Sequence, residues 1–552
     1  MVTDTELGLW MPLTWITLGL DYLVWGMNPF GYHLTNVLFH AATALVVFWV
    51  LDRLLRLARP GSDARTRCGA AAAGALFFSL HPLRVESVAW ITERRDVVSG
   101  FFILLTVLAY LKMAAAAPGS PERRKGYGLT LLWFILGLLS KPTGMTLPLV
   151  FLILDVYPLK RSGAEPWRGL LLEKVPFFAL MIGSAALTFV SLRHAHAVYT
   201  WDTYPPLQRL VQPGFRVSFY VAKTLMPLSL SPLYEYHPEI GWAHLIGWLT
   251  LAAVTAGVLL RRRQLPAAAA AWVAFGLLIA PVSGVFQAGM HFAADRYSYL
   301  PCLPFAALFA AAVASAPPRI PRPAVLGLAA AVLVALALMT LVQEQVWKDS
   351  LALWNRVLRL DPHSYFALNN RGAAKADQGD FAGAMADYDA SIAIREDWEK
   401  SWNNRAIELA RRGDHAQAAE AFSRSLQIEP DQVKAYGYRA LSRLQTGDLA
   451  GGRQDLDEAL RRRPDALYYV KRAMLRGMEG NLDGVIGDCA EALRLRPVYP
   501  EARMHLGMAY LQKGDAARAS LELGMALRTA VPGSPQAVQI ERLLRSLLPK
   551  PR

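Results

Sequence analysis

The chain has 552 residues, of which 54% are hydrophobic, and its mean hydropathy is +0.24. It is therefore too apolar for an ordinary soluble enzyme and long enough for two or more domains. The net charge of +14 would suit nucleic-acid binding, but much of the basic excess lies in short loops between apolar segments, where membrane orientation explains it better.

Apolar runs dominate the chain up to about Gln343, whereas charged residues occur every few positions from Glu344 onward. We expect about ten membrane spans in the first part. They are 35–52, 69–82, 97–114, 127–141, 143–157, 173–192, 242–260, 266–285, 298–315 and 323–343. The stretch 127–157 is interpreted as two short spans broken at Lys141-Pro142, which is tolerated where the freed backbone lines a protein cavity.

The loops between these runs alternate in charge. Lys and Arg are retained on the cytoplasmic side of a membrane, so the five basic loops are predicted to face the cytoplasm. They are 53–67, 112–125, 160–168, 261–263 and 319–322. The loops 83–96, 193–241 and 286–297 then lie outside, with the N-terminus and everything after Gln343, and the apolar run 215–230 is re-entrant or interfacial.

Five glycines recur at spacings of 34, 34, 33 and 34 residues. They are Gly379, Gly413, Gly447, Gly480 and Gly514. In the same register, small residues occupy one position (Ala384, Ala418, Ala519), bulky residues another (Tyr388, Phe422, Leu456, Leu523), and Pro430, Pro464 and Pro497 close units. This pattern is typical of the helix pairs of tetratricopeptide repeats (TPRs). The fourth unit is degenerate, with Val485 and Cys489 at the small and aromatic positions.

The predicted fold is therefore all-α: a polytopic helical membrane domain followed by a TPR solenoid. We expect a membrane domain at 1–343, a connecting half-repeat at 344–362, about five repeats at 363–536 and a C-terminal helix or tail at 537–552. The array is either a plain helical spacer or a concave groove for a peptide or protein partner.

Ionisable residues crowd the predicted outer edge of the membrane. The segment "HPLRVESVAWITERRDVVSG" places seven within sixteen residues: His81, Arg84, Glu86, Glu93, Arg94, Arg95 and Asp96. Such groups are costly beside hydrocarbon unless they pair or serve a site, so an interfacial belt of salt bridges and a functional site both stay open. Polar residues on the same predicted face are His33, Asn36, His40, Lys141, Lys223, Tyr234, Asp295, Arg296, Tyr297 and Tyr299.

His33, Asn36 and His40 are spaced i, i+3, i+7, which places them along one helical stripe. The alternative to a ligand-binding role is a hydrogen-bonded seam between helices. A zinc site is disfavoured because no third soft ligand lies at useful spacing, and the three cysteines indicate neither a disulfide framework nor a metal site.

At these motifs the chain resembles a known family. "PLTWITLGLDYLVWGMNPFGYHLTNVLFH", the segment at 81–100, "LLSKPTGMTLPLVFLILDVYPL" and "ADRYSYLP", followed by TPRs, are similar to the transmembrane and TPR-containing proteins and their bacterial relatives. That family resembles the C-type membrane glycosyltransferases, which transfer a sugar from a polyprenyl phosphate carrier to an acceptor on the outer or lumenal face. In animals it is associated with protein O-mannosylation.

The resemblance implies a donor, a partner and a place in the cell. The donor is a polyprenyl-phosphate-linked sugar, and the acceptor is a hydroxyl of a protein or peptide recruited by the TPR groove. Whether transfer requires a divalent metal stays open. Together with the loop charges, the resemblance leads us to expect the bacterial inner membrane, with the TPR domain in the periplasm. Residues expected to hold the lipid phosphate or the sugar are His33, Asn36, His40, His81, Arg94, Arg95, Lys141, Lys223, Asp295 and Arg296, of which the cations suit phosphate.

An attacking hydroxyl requires a carboxylate base. The family resemblance implies an Asp or Asp pair before "PLTW", where this chain offers only Asp4 and Glu6. Met1 to Leu20 also lacks the signal features that an external N-terminus normally needs. Either the chain lacks its beginning or it is a variant without the usual base, in which case Glu86 and Asp96 are the alternative carboxylates.

Two other functions stay open. The first is a noncatalytic, membrane-anchored TPR scaffold for the cell envelope. The second is a transporter, although no obvious inverted repeat or coupling-ion site supports it.

Overall fold

A computed structural model describes residues 10–194, 204–235, 239–285, 291–315 and 320–547. The predicted carboxylates Asp4 and Glu6 lie outside the described residues. The chain divides into two compact units, Met1–Pro362 and His363–Arg552. Both are helical, and the described residues include a single two-stranded antiparallel sheet.

The first unit contains fourteen described α-helices. They are α1 Pro12–Trp25, α2 Pro29–Ala58, α3 Ala64–Ser79, α4 Val85–Ala89, α5 Arg94–Ala114, α6 Pro121–Ser140, α7 Leu147–Val156, α8 Trp167–His194, α9 Pro206–Leu225, α10 Trp242–Leu260, α11 Pro266–Ile279, α12 Leu303–Ala314, α13 Arg322–Glu344 and α14 Ser350–Leu360. Proline opens α1, α2, α6, α9 and α11, a position where its fixed φ suits the helix and its missing N–H costs nothing.

Short elements connect these helices. The 3₁₀ turns are Pro82–Arg84, Ile91–Glu93, Pro142–Thr146, Arg161–Gly163, Ala280–Val282, Asp295–Ser298 and Gln345–Trp347. Strands β1 (Tyr234–Glu235) and β2 (His291–Ala293) pair antiparallel, with Tyr234 opposite Ala293. This pairing joins two of the predicted outer loops.

Five described helices are long and apolar enough to cross a membrane: Pro29–Ala58, Ile91–Ala114, Trp167–His194, Trp242–Leu260 and Arg322–Trp347. A sixth is possible if Ala64–Ser79 and Pro82–Ala89, which are bent by 53°, form one broken span. The predicted count of about ten is therefore not confirmed. The runs 143–157, 266–285 and 298–315 contain only the short helices α7, α11 and α12, and a 14-residue helix such as α11 extends about 21 Å, less than the roughly 30 Å of hydrocarbon.

Two neighbouring apolar clusters form much of the described core of the first unit. In the first, α2, α3, α5 and α12 pack together through residues such as Val47, Ala71, Val97 and Ala306. In the second, Phe134, Phe151 and Phe177 join α6, α7 and α8. Helix α5 contributes to both clusters and is thus held on two sides.

The predicted re-entrant or interfacial run 215–230 lies largely in α9. This helix buries the polar residues Gln212, Arg216 and Thr224, whereas Leu207 and Leu210 are exposed. It is not among the helices apolar enough to span. Its position relative to a membrane stays a prediction.

The second unit consists of consecutive helix pairs and one final helix. The helices are α15 Tyr365–Asp377, α16 Phe381–Ile394, α17 Glu399–Arg411, α18 His415–Ile428, α19 Val433–Gln445, α20 Leu449–Arg462, α21 Ala466–Met478, α22 Leu482–Leu495, α23 Pro500–Gln512, α24 Ala516–Thr529 and α25 Pro535–Ser546. The five periodic glycines take φ between 74° and 88° in the turns inside the pairs, a conformation that favours glycine. The predicted small and bulky positions are buried, including the degenerate Val485 and Cys489.

Salt bridges inside three repeats add to this packing. Arg371 pairs with Asp387, Arg439 with Asp455 and Arg472 with Asp488, each sixteen residues apart and each through two nitrogens of the guanidinium. Each pair ties the first helix of a repeat to the second with bidentate geometry.

Candidate functional site

The segment 81–96 consists of short helical elements and the first turn of α5. The bend at Pro82–Ala89 and the 3₁₀ turn at Ile91–Glu93 lead directly into α5. Arg84, Glu86, Glu93, Arg94 and Asp96 are all buried. Because a buried charge is unfavourable unless it is paired, the partners of these groups define the site.

Three carboxylates and three cations form one network, which we call the charged network: Glu86, Glu93, Asp96, Arg95, Lys141 and Arg296. Glu93 accepts hydrogen bonds from Arg95 Nε at 2.8 Å and from Lys141 Nζ at 3.4 Å. It also lies 3.2 Å from Arg296 Nε. Glu93 is therefore the centre of the network, and the structure brings five of the predicted site residues together around it.

The outer members complete the connections. Asp96 accepts from Lys141 Nζ at 2.6 Å and from the Ser87 hydroxyl at 3.3 Å. Glu86 accepts from the backbone N–H of Arg296 at 2.8 Å and pairs with its guanidinium. Of the six side chains, Arg95 is the most accessible, with 23% of its side chain exposed.

The backbone explains how Lys141 reaches this network. The residue before a proline is disfavoured in the α region, so α6 ends at Ser140 and Lys141 is extended, with φ −161° and ψ 135°. Ser99 of α5 donates to the Lys141 carbonyl at 3.1 Å. The break predicted at Lys141-Pro142 therefore directs a cation toward the first turn of α5.

Arg94 lies apart from the charged network, although it adjoins two of its members in sequence. Its side chain is fully buried and forms a salt bridge with Asp21. It donates to Asn36 Oδ1 at 2.8 Å and to the carbonyls of Thr17 and Tyr32 at 3.2 and 2.7 Å. Arg94 thus joins α1, α2 and α5, and a lipid-phosphate role for it stays a prediction.

A second group lies beside the charged network around Asp295. Asp295 is buried, and Tyr234 donates a hydrogen bond to it at 2.9 Å. Burial, with Glu86 nearby, raises the pKa of Asp295 to about 8, so this carboxyl is protonated near neutral pH. Lys223 donates to the carbonyls of Leu228 and Ser229 at 2.6 and 3.2 Å, and its ammonium lies 5.9 Å from the Tyr234 ring.

Arg84 is a buried cation close to Asp295. It donates to the Ser298 hydroxyl at 2.6 Å, whereas its Nε and Nη1 have no hydrogen-bond partner among the described residues. Its guanidinium lies over the rings of Phe78 and Tyr299, at 5.4 and 5.3 Å. A Cβ at Gly100 of α5 would lie 2.4 Å from the Tyr299 ring, so glycine allows this close approach.

The predicted histidine stripe divides. Asn36 is buried between Arg94 and the Val88 carbonyl, and His40 Nδ1 lies 2.9 Å from the Tyr299 hydroxyl. His33 is exposed on α2 and does not join them. His81 Nε2 lies 3.0 Å from the Thr224 carbonyl. Among the described residues no three His, Cys, Asp or Glu side chains are grouped as metal ligands would be.

Sequence reasoning missed a second ionic network near the predicted cytoplasmic end. Asp155 accepts from Tyr110 at 2.6 Å and from Arg161 at 3.0 Å, and it pairs with the fully buried Lys174 at 2.5 Å. Arg161 and Arg123 also bind Glu165 and Glu173. The pKa of Glu165 falls to about 2, chiefly because of its hydrogen bond from Arg161. Acidic residues among the basic ones at 155–174 were the available signal.

Comparison with known proteins supports the repeats first. A family model described as "Tetratricopeptide repeat" matches residues 336–399, 403–466 and 489–535. Among solved structures, the TPR protein YrrB, described as having an unusual peptide-binding site, is 14% identical with a TM-score of 0.31, covering 34% of this chain and 97% of that one. For MamA these values are 19%, 0.28, 29% and 93%.

Curated relatives match part of the chain. "Protein O-mannosyl-transferase Tmtc1" of Drosophila melanogaster is 35% identical over 167 residues, which are 30% of this chain and 18% of that protein. "Protein O-mannosyl-transferase TMTC1" of Homo sapiens is 29% identical over 181 residues, 32% of this chain and 20% of that protein. The matched segment spans about a fifth of the length of these relatives.

The chain is therefore an all-α protein with apolar helices long enough to cross a membrane and with tetratricopeptide repeats. Over part of its length it is homologous to the TMTC protein O-mannosyl-transferases.

Proposed function

We propose that this protein is a membrane glycosyltransferase that transfers a sugar, mannose in the first instance, from a polyprenyl phosphate carrier to a protein hydroxyl. The charged network carries the proposal. It gathers Arg95, Lys141 and Arg296 at the end of α5, in a chain whose relatives are named protein O-mannosyl-transferases. The transfer takes place on the outer or lumenal face, and in a bacterium this is the periplasmic face of the inner membrane.

The charge balance of the region favours an anionic ligand. Five cations (Arg84, Arg95, Lys141, Lys223 and Arg296) face four carboxylates (Glu86, Glu93, Asp96 and Asp295), of which Asp295 is neutral because its pKa is near 8. A net excess of positive charge beside low-dielectric protein attracts phosphate. Arg95 is the entry point in this proposal, because it is the most exposed member of the charged network.

The carboxylates supply the acid–base chemistry in this proposal. Attack by an acceptor hydroxyl requires a group that takes its proton, and the carrier phosphate leaves as an anion that cations stabilise. Glu86 and Asp96 are the carboxylates proposed as base. Arg95 and Lys141 hold the leaving phosphate.

The TPR array recruits the acceptor. Repeats of this kind generally mediate protein–protein interaction, and the second unit is tied internally by its Arg–Asp pairs. We propose that an acceptor protein binds the repeats and presents its hydroxyl to the membrane unit.

Transfer of labelled mannose from polyprenyl phosphate mannose in proteoliposomes tests the proposal. The wild type should label acceptor protein from a membrane extract, and Arg95→Gln should reduce labelling at least tenfold with unchanged abundance. Lys112→Gln, an exposed cation at the other end of α5, is the matched control and should retain full labelling. Acceptor binding without labelling in the wild type would favour the noncatalytic TPR scaffold.

A further inference from the structure

A separate apolar cavity in the first unit extends toward Arg59 and the basic segment 261–263, which we call the arginine-rich side. Its volume is about 540 Å³, within the roughly 300–1,000 Å³ of ligand-sized sites. It is enclosed by α2, α5, α7, α11 and α12, and the charged network described above contributes no side chain to it.

The two ends of the cavity differ. One end is lined by Ile103, Leu147 and Leu278, which are all buried. The other end is lined by Arg59, Gln264 and Leu265, which are exposed. The cavity is therefore closed inside the unit and open at the end where the basic loops lie.

The cavity has the length of one membrane leaflet. Helix α12 and its C-cap residue line it from Leu303 to Ser315, a rise of about 18 Å at 1.5 Å per residue. Half of the hydrocarbon thickness of a bilayer is about 15 Å. A single extended acyl chain therefore matches the cavity in both length and polarity.

The open end suits a negatively charged headgroup. Among the described residues that line the cavity, Arg59 is the only one with a charged side chain, and there is no Asp or Glu. The exposed Arg261, Arg262 and Arg263 immediately precede the lining residue Gln264. Basic groups at a membrane surface attract anionic lipids.

We infer that this cavity binds one acyl chain of an anionic phospholipid from the leaflet on the arginine-rich side, with its phosphate at Arg59. The inference is independent of the proposed transfer reaction, because the cavity shares no side chain with the charged network. It assigns the chain a structural lipid in addition to any lipid-linked donor.

Native mass spectrometry of the purified full-length protein tests the inference. Delipidated protein is mixed with phosphatidylglycerol or with phosphatidylcholine carrying the same acyl chains, and the lipid retained at increasing detergent concentration is counted. Phosphatidylglycerol should be retained at least fivefold more than phosphatidylcholine.

Two variants with matched controls locate the lipid. Ala271→Phe fills the cavity and should reduce retention at least fivefold, whereas Ala269→Phe, on the same helix but outside the lining, should not. Arg59→Gln should remove the preference for phosphatidylglycerol, and Arg168→Gln, at an exposed cation of α8 outside the lining, should retain it. Because Arg59 is exposed, its variant remains informative if Ala271→Phe fails to fold.

Equal retention of the two phospholipids by the wild type would overturn the inference. So would equal effects of Ala271→Phe and Ala269→Phe. Preferential retention of polyprenyl phosphate over phosphatidylglycerol, lost in Ala271→Phe, would replace the phospholipid by a carrier lipid.

Discussion

Arg94 gives the sharpest prediction, because the sequence suggested a ligand-binding cation and the structure places it among intramolecular partners. Its fully buried side chain pairs with Asp21 and donates to Asn36, Thr17 and Tyr32. Removing one member of a buried ion pair leaves the other charge unpaired and costs about 3–5 kcal/mol. Arg94→Met should therefore lower the free energy of unfolding by about that amount.

A double-mutant cycle separates the ion pair from the rest of the site. Asp21→Asn removes the charge that Arg94→Met would leave behind, so the double variant should be more stable than the sum of the two single effects by about 1–3 kcal/mol. The assay is equilibrium unfolding of the purified protein in mixed detergent and SDS micelles, followed by tryptophan fluorescence.

The refuting result is specific. If Arg94→Met retains wild-type stability within about 0.5 kcal/mol, the range of ordinary surface substitutions, and yet loses lipid-phosphate binding, Arg94 is a ligand-binding group. The interpretation that Arg94 joins α1, α2 and α5 as a structural residue would then be wrong.

Three other substitutions test different parts of the account. Asp295→Asn should flatten the pH dependence of stability. The folded pKa of about 8 exceeds the ordinary 3.8, so the protonated carboxyl stabilises the wild type at low pH, and this stability is lost as pH rises from about 4 to 8. A wild-type melting temperature that is no lower at pH 8 than at pH 5, relative to the variant, would contradict this. Asp155→Asn should destabilise the protein by about 3–5 kcal/mol, because Lys174 is fully buried beside Asp155. Arg56 is half-exposed in its pair with Asp52, so Arg56→Gln should cost at most about 1 kcal/mol of stability. Similar unfolding midpoints for the two variants would refute the distinction. Gly447 has a φ of 86°, so Gly447→Ala should destabilise the repeats by about 1–2 kcal/mol. Gly487 lies inside α22 with open space around a Cβ, so Gly487→Ala should stabilise them by about 0.5–1 kcal/mol. Hydrogen exchange of α19–α22 amides measures both effects, and stability changes of the same sign would disprove the argument.

The repeats could be predicted from the sequence because each depends on residues close together in the chain. The turn glycine and the small and bulky positions recur in one register, and they occupy the expected turns and buried positions. The bidentate pairs such as Arg439 with Asp455 were not predicted. The repeat pattern concerns apolar and small residues, and it does not indicate which charged side chains form ion pairs between the two helices of a repeat.

The membrane unit was less predictable. Apolar composition indicated where hydrocarbon-facing segments lie, but it did not distinguish spanning helices from short ones such as α12, because both are equally apolar. Clustering at 81–96 indicated a site, and the partners there come from distant segments: Glu86 and Arg296 are 210 residues apart. No local pattern identifies Asp21 as the partner of Arg94 rather than a carboxylate beside it in sequence.

Photo-crosslinking with a diazirine-bearing polyprenyl phosphate mannose tests the central claim most directly, by mapping the labelled peptides of the full-length protein. The account predicts label on peptides that contain Arg95 or Arg296, competed by unmodified polyprenyl phosphate mannose and reduced in Arg95→Gln. Label confined to other peptides, such as those lining the apolar cavity, would contradict a lipid-phosphate site at the charged network.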